Sequence, residues 1–506
     1  MNETTIRIGF GLACLVAFSA CPRSARAEDP PSSVRPAGAP RRIDVGLAVR
    51  EALAKNPNRE ASEIAVERAR QNILVEEARY PYVFQADAGY TRSKVPRLGA
   101  GDTVSSSTSR TYTVGSALRR TFPFGTTAEV RLQGERFENE SSAGGLAGGT
   151  STGYGVSGRA SVTHPLLRGA GTRVGEAELR TARVEKQASE KARDRQKSEL
   201  VRDVVMAYWE LWYADEATRI QRSALTLAKR QEADAKAKVA QGASAESDVL
   251  TFTSRVAELE ESVVTADLGQ RQRALELGRL MGSPDPDRDL VTIASGPPAA
   301  GASATRADVE KALGSTSVEL AELEAQVRVA RSRAEVAGES TRPRLDVEGY
   351  LESQGVSERI PRAATRAGQM SWVTAHVGLV FELPLDDSRR NAEKRAALLS
   401  VRAAEQNLRA ARDRITSEAT LAVTNEKAAS ERVRLAERTL AVAEKAHAAE
   451  KARFELGQSL PIQVQQAEDD LRRAKLRVAR ARVDLVEEQT AVLHLAGRLL
   501  AEYEGG

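Results

Sequence analysis

The chain has 506 residues, 28% charged and 4% aromatic, and its 74 Lys and Arg nearly balance 70 Asp and Glu for a net charge of +4. Scarce aromatics and abundant Ala, Arg, Glu and Leu indicate long helices with narrow apolar seams rather than several globular domains. Both charge signs are interleaved along the helices, which excludes the concentrated basic face that nucleic-acid binding needs.

The N-terminal segment reads as an export signal, 1–27, in which Arg7 precedes an apolar run over 8–20 that is too short to span a bilayer. Cleavage after Ala25-Arg26-Ala27 leaves Glu28 first. The alternative is an approximate lipobox at Phe18-Ser19-Ala20-Cys21, which would make Cys21 a lipid-anchored N-terminus. Cys14 and Cys21 are the only cysteines, so the mature chain carries no disulfide and no thiolate-metal chemistry. No later apolar run approaches 18 residues, and no transmembrane helix is expected.

After a Pro-rich linker, 28–42, one pattern runs twice, in a first repeat over 43–285 and a second over 305–500. A linker, 286–304, lies between them and a short tail, 501–506, follows. Each repeat opens with a helical segment, 45–79 or 306–339, that carries an Ala-Leu pair (Ala52-Leu53, Ala312-Leu313) and stops at Pro81 or Pro343. Period-2 alternation follows. In the first repeat it covers 82–91, 111–119, 127–135 and 154–163, with a tight turn at Pro123-Phe124-Gly125 and Gly/Ser/Thr-rich loops at 97–109 and 138–153. In the second, Leu345, Val347, Gly349 and Leu351 alternate with acids and Tyr350, and Val373 to Leu383 alternates likewise. Strands of about ten residues with one apolar and one polar face fit a membrane barrel with lipid outside and water inside. Six strands are thus candidates, four in the first repeat and two in the second.

Pro165-Leu166 and Pro384-Leu385 then lead into long helices; the first is expected over 166–240, about 110 Å at 1.5 Å per residue. Gly242 and Gly457 break the outbound helices, and Gly282 and Gly497 close the returning ones, each 40 residues on. Between them a seven-residue seam runs through Val249, Val256, Val263, Gln270 and Leu277. Its image 215 residues later is Val464, Leu471, Val478, Leu485 and Val492. Phe252, Leu259 and Ala266, and Ala467, Ala474 and Ala481, accompany it. Val401, Leu408, Ile415, Ala422 and Ala429 continue the seam in the second outbound helix, which resumes after a stutter at Val433 and Leu440. A strict heptad means left-handed coiled-coil packing. Trp209, Trp212 and Tyr213 are expected to anchor the bundle.

Catalytic chemistry is not legible. His164, His376, His447 and His494 sit in different elements, four methionines form no cluster, and no phosphate loop or nucleophile elbow occurs. Acidic pairs such as Glu76-Glu77 and Asp469-Asp470 read as solvated helix faces. The chain is not expected to be an enzyme or to carry a cofactor or metal.

In this order the motifs resemble the TolC-like outer-membrane efflux protein family. They run from Ala52-Leu53 and Asn56-Pro57 through Pro81, Gly89-Tyr90, His164-Pro165-Leu166-Leu167-Arg168-Gly169, Ala207-Tyr208-Trp209 and Asp248-Val249-Leu250 to Gly497. The resemblance covers nearly the whole mature chain. It implies an α+β membrane protein, a homotrimer in which each subunit lends strands, usually four in the family against six candidates here, to one shared barrel and coiled-coil hairpins to a periplasmic tunnel. It also implies outer-membrane lipid around the barrel, and a periplasmic adaptor and inner-membrane transporter as partners in efflux or type I secretion. Gating and adaptor contact would sit at the tips, at Gly242, Ser244, Asp248, Phe454, Gly457, Ser459, Gln463 and Gln466. The family's best-known member gates with an acid, matched by Asp248, bonded to an arginine and a tyrosine. Ser459 and Phe454 stand in those two places, so that salt bridge is not expected. Gln463 and Gln466 stand where that member has aspartates, which removes a strongly cation-binding aperture. A periplasmic adaptor or a secreted structural coiled coil are the alternatives.

Overall fold

The computed structural model describes residues 41–98, 104–142, 150–241, 246–283, 290–294, 296–297 and 317–504. The signal, Cys21, Gly242, Ser244, and the Ala312-Leu313 pair lie outside the described residues.

Strand β1 (Arg41–Ile43) opens the structure and leads into α1 (Val45–Lys55), which Asp44 caps by accepting from the Gly46 amide at 3.1 Å. The single helix expected over 45–79 is two helices. Pro57, lacking an N–H, takes the first position of α2 (Pro57–Glu77), and the Asn56 side chain accepts from the amides of Asn58 and Arg59 at 2.9 and 3.3 Å. The Asn56 amide nitrogen donates to Leu280 O at 2.8 Å, which ties this break to the far end of the first hairpin.

Six strands follow, interrupted by helices: β2 (Tyr82–Leu98), β3 (Val104–Thr121), β4 (Thr127–Ser142) and β5 (Thr150–Pro165), later β7 (Arg344–Ser357) and β8 (Trp372–Glu382). They form one antiparallel sheet in the order β2-β3-β4-β5-β7-β8. Among the described residues, all six candidates therefore belong to one sheet. The strands of the first repeat run several residues beyond the expected spans, into segments first read as loop, because Ser and Thr satisfy a ladder as well as Val does where both strand faces lie at a surface. A nine-residue helix, here α7 (Ile360–Gly368), joins β7 to β8. It rests on the sheet where Gly355 offers no side chain; a Cβ there would lie 2.0 Å from Ala363 O.

Below the sheet stand α4 (Ala177–Ala240), α5 (Glu246–Leu280), α8 (Ser388–Glu455) and α9 (Pro461–Leu495), with α6 (Val318–Glu339) beside the upper part. At 64 and 68 residues, α4 and α8 are each about 100 Å long. The first starts eleven residues later than the expected 166. Gly169 and Gly171, at φ +85° and +83°, turn the chain, and the short α3 (Thr172–Gly175) intervenes.

The seam behaves as its spacing requires. Phe252, Val256, Leu259, Leu277, Val464, Ala474, Val478, Ala481, Leu485 and Val492 are buried, as are Ile415, Ala422 and Ala429. Gln270, the one polar seam residue, donates to Asp215 at 3.1 Å and to Leu290 O at 3.0 Å. It faces β6 (Leu290–Thr292), a piece of the inter-repeat linker that pairs in parallel with β1. Around this pair lies the main core: Ile43, Val204, Tyr208, Leu211 and Leu277 are fully buried. Tyr208 Oη donates to Ile43 O at 3.3 Å and accepts from the Ala294 amide at 3.4 Å, while Trp212 Nε1 donates to Ala294 O at 3.0 Å. The aromatic anchors thus clasp the linker as well as the bundle. The last helix, α10 (Leu499–Glu504), lays the fully buried Leu499 into the same core.

Candidate functional site: duct wall and helical tips

The sheet has two chemically distinct faces, and the strand register assigns residues to them. On one, Phe84 opposes Leu118, Leu118 opposes Val130, Ala160 opposes Leu351, and Leu345 opposes Phe381. Phe84, Val114, Leu132, Val377, Leu379 and Phe381 are each 60–82% exposed on it. The other face carries Asp87, Arg131, Arg159, Tyr350, Glu352 and His376. There Arg131 Nη2 bonds Asp87 Oδ1 at 2.8 Å, Arg159 lies 3.7 Å over the Tyr350 ring and 3.9 Å from Glu352, and Tyr350 stacks on His376 at 5.1 Å. Cross-strand pairing of this kind keeps charges in place on a wet surface. A sheet that is greasy on one side and charged on the other suits a wall between lipid and water. Among the described residues no helix is long and apolar enough to cross a membrane.

The sheet joins the long helices through a compact junction. The Pro123-Phe124-Gly125 turn between β3 and β4 is held there by the Gly171 amide donating to Phe124 O at 3.2 Å and by Thr126 Oγ1 against His164 Nδ1 at 2.6 Å.

At the lower end the second tip is fully described. Gly457, at φ +75°, closes α8 in a Schellman arrangement: its amide donates to Phe454 O at 3.0 Å, and the Gln458 amide donates to Arg453 O at 2.8 Å. Gln463 Oε1 then accepts from the Leu460 amide at 3.0 Å and from Ser459 Oγ at 3.0 Å, so it caps α9. Ser459 Oγ also bonds Glu450. Phe454 is half-buried, with Lys238 Nζ of the first hairpin 5.6 Å from its ring centre. Gln466 is exposed, whereas its neighbour Gln465 is buried. Asp248 sits in the first turn of α5.

The structure adds residues that the sequence reading passed over. Asp469, read as part of a solvated face, is half-buried and bonds Arg255 of the first hairpin and Arg472, because α9 turns that side toward its neighbouring hairpin; Asp470 is exposed and pairs with Arg473. Gln231 donates to Glu468 at 2.6 Å, and Arg472 donates to Gln221 at 3.1 Å. These bonds clasp the two hairpins above their tips. Higher up, Arg480 joins Glu210 at 2.5 Å, Asp484 at 2.6 Å and Glu487 at 3.2 Å. Burial and a hydrogen bond with Glu210 push the Glu487 carboxyl up to about 7, while Arg480 holds Glu210 below the usual carboxylate range against the opposing effect of burial. The four histidines lie apart, and no group of three or more His, Cys, Asp or Glu that could hold a metal occurs among the described residues.

Comparison with known proteins agrees with this geometry. The fold is similar to that of the outer membrane protein VceC from Vibrio cholerae (14% identity, TM-score 0.63, 90% of this chain and 96% of that one). It is similar to a membrane protein from Pseudomonas aeruginosa (16%, 0.67, 92% and 99%) and to the open state of the Neisseria gonorrhoeae MtrE outer membrane channel (15%, 0.61, 90% and 89%). No curated protein matches the sequence. Residues 311–498, within the second repeat, match the family model described as outer membrane efflux protein.

Proposed function

We infer that the protein is the outer-membrane duct of a tripartite efflux or type I secretion system, acting without catalysis as a passive conduit. The carrying observation is the continuity of a lipid-compatible sheet with helices of about 100 Å, a length that would let one chain cross a membrane and reach far beyond it. In this reading a homotrimer forms the conduit, and a periplasmic adaptor docks on the helical tips on behalf of an inner-membrane transporter.

The tips would also close the conduit. Gly457, Ser459 and Gln463 give the second tip a rigid turn, and Phe454 with Lys238 links it to the first hairpin. Opening would untwist the hairpins and break the inter-hairpin bonds of Asp469, Glu468 and Arg472. Asp248 is the proposed constriction residue, Gly242 and Ser244 are proposed for the first tip by their sequence positions, and Gln466 would offer an uncharged adaptor contact.

Conductance of the purified protein in planar bilayers tests the reading. A small single-channel conductance that rises in Asp248→Ala is the expected result. Folded trimers without conductance in either protein would overturn the duct assignment; equal conductances would move the constriction away from Asp248.

A further inference from the structure

The chain presents two unfinished edges, and they match each other. In the sheet, β2 and β8 each have a neighbour on one side only. Of these edge strands, β2 ascends from the junction and β8 descends to it, so a β8 edge meeting the β2 edge of another copy makes an antiparallel pair. Edge strands of 17 and 11 residues left unpaired in a membrane would strand a row of backbone N–H and C=O groups without partners.

The helical layer repeats this situation. Packing runs α5-α4-α9-α8, which leaves α5 and α8 outermost. On each, a second apolar stripe lies on the side of the helix opposite the buried seam. On α5 it is Leu250, Ala257 and Val264; on α8 it is Ala449, Val442 and Leu435. All six are exposed, at up to 69%. Their heights agree: each set stands 8, 15 and 22 residues from its tip glycine, Gly242 or Gly457. A leucine on one stripe thus meets an alanine on the other at 8, and a valine meets an alanine at 15, as interlocking knobs require. Glu261 beside the first stripe and Arg438 beside the second both stand 19 residues from those glycines, which adds opposite charges at one level.

In both layers the first repeat ends at one edge and the second repeat at the other. We propose that copies of this chain join first-repeat edge to second-repeat edge, α5 against α8 and β2 against β8, so that three six-stranded sheets close an eighteen-stranded barrel. This rests on the duct reading and fixes its geometry. A head-to-tail interface of this kind generates a ring when the rotation between copies closes, and the duct reading has it close after three.

The alternative is a narrower barrel in which β2 and β3 stand aside and β4 becomes the edge. The structure argues against it. The β3–β4 ladder pairs every residue from Thr121 with Thr127 up to Ser106 with Ser142, and the turn between them is locked into the junction. Phe84, Val114 and Leu118 continue the apolar face of Val130 and Leu132 and would lie in water if the hairpin left the barrel. Because barrel diameter grows about linearly with strand number, eighteen strands give a mouth about 1.5-fold wider than twelve, in the range that leaves an aqueous channel.

Cysteine pairs test this in the full-length protein extracted from membranes, with single-cysteine controls. Ala257→Cys with Val442→Cys reports the helical edge. Phe84, Ala86 or Ala88→Cys with Val377, Leu379 or Phe381→Cys scans the β2–β8 edge. Val130→Cys with Leu379→Cys reports the narrower barrel. Oxidation is expected to give covalent dimers and trimers from the helical pair and from at least one β2–β8 pair, and none from Val130 with Leu379. Linkage of Val130 with Leu379, or of the helical pair alone, overturns the eighteen-stranded closure and leaves the duct reading standing. Linkage by none of them overturns the proposal, and bilayer conductance of the same preparation shows whether the duct reading falls with it.

Discussion

Glu487→Gln should make the protein more stable at neutral and alkaline pH, not less. In the cluster around Arg480, one guanidinium faces Glu210, Asp484 and Glu487, with Arg273 3.6 Å from Glu210 and Arg432 3.8 Å from Asp484. Burial, reinforced by the hydrogen bond with Glu210, raises the Glu487 carboxyl from 4.5 to about 7. A raised acid binds its proton more tightly in the folded state, so its contribution falls as pH rises from about 4.5 to about 7 and is level outside that window. At about 1.4 kcal/mol per pH unit the ceiling is about 3 kcal/mol. The side chain is only 20% exposed, so solvent screens little of this. Glutamine keeps the shape and the donor to Glu210 without the charge. The variant should match wild type near pH 4.5 and gain up to about 2–3 kcal/mol by pH 8, less whatever Arg480 loses. Thermal unfolding of the detergent-solubilised protein between pH 4.5 and 8 measures the difference. A difference constant across that range, or a wild type that is the more stable at pH 8, would refute the assignment of the proton.

Other substitutions probe other parts of the chain. Tyr208→Phe removes the hydroxyl that bonds Ile43 O and the Ala294 amide in the fully buried core; it should cost about 1–3 kcal/mol in thermal unfolding and free the β1–β6 pair for proteolysis. Gly282→Ala meets two penalties, a φ of +71° and a Cβ placed 2.4 Å from Lys55 O, so it should destabilise by about 2 kcal/mol or more, whereas Gly269→Ala, with open space around it, should be neutral or stabilising. Gly355→Ala should lift α7 from the sheet, because its Cβ would collide with Ala363 O, and trypsin should then cut at Arg362 or Arg366 in conditions that spare wild type. Asp469→Asn weakens the inter-hairpin clasp with Arg255 and Arg472 and should raise single-channel conductance; no change in conductance would confine that clasp to a structural role.

The parts of the fold that repeat were legible, because repetition turns weak signals into a strong one. Val256 and Leu471 are unremarkable alone, but a seam preserved across 215 residues leaves little but a coiled coil. Alternation likewise revealed all six strands. What escaped depends on long-range partners. Asn56-Pro57 splits a helix because Asn56 has Leu280 to bond, and Gln270 interrupts the seam because the linker strand docks there. Strand ends were placed short because Ser, Thr and charged residues at 92–98 and 138–142 carry no apolar face, although the ladder continues through them. At the tips, residue type located the turn but not the roles: Gln463 and Ser459 prove to be occupied with capping, and the polar contacts linking the hairpins lie two to three turns into α9, at Glu468, Asp469 and Arg472.

The two layers of the protein keep different symmetries. Each repeat supplies one long hairpin, but the first supplies four strands and the second two. An inserted hairpin need not disturb the helices if its turn ends where the sheet stops. The Pro123-Gly125 turn does so: it tucks against the segment from Gly169 to Gly175, and Gly125 and Gly175 leave room for this contact, since a Cβ on Gly125 would sit 2.3 Å from Gly169 O and one on Gly175 would sit 1.7 Å from Pro123 O. The junction therefore absorbs the extra strands, and the seam keeps its 40-residue spacing in both hairpins. It follows that, in the proposed duct, strand number and helix geometry can vary independently. Widening the proposed barrel would then require only a hairpin whose turn is small enough to fit the junction, and enlarging that turn at Gly125 should disturb assembly more than inserting residues within 99–103 or 143–149.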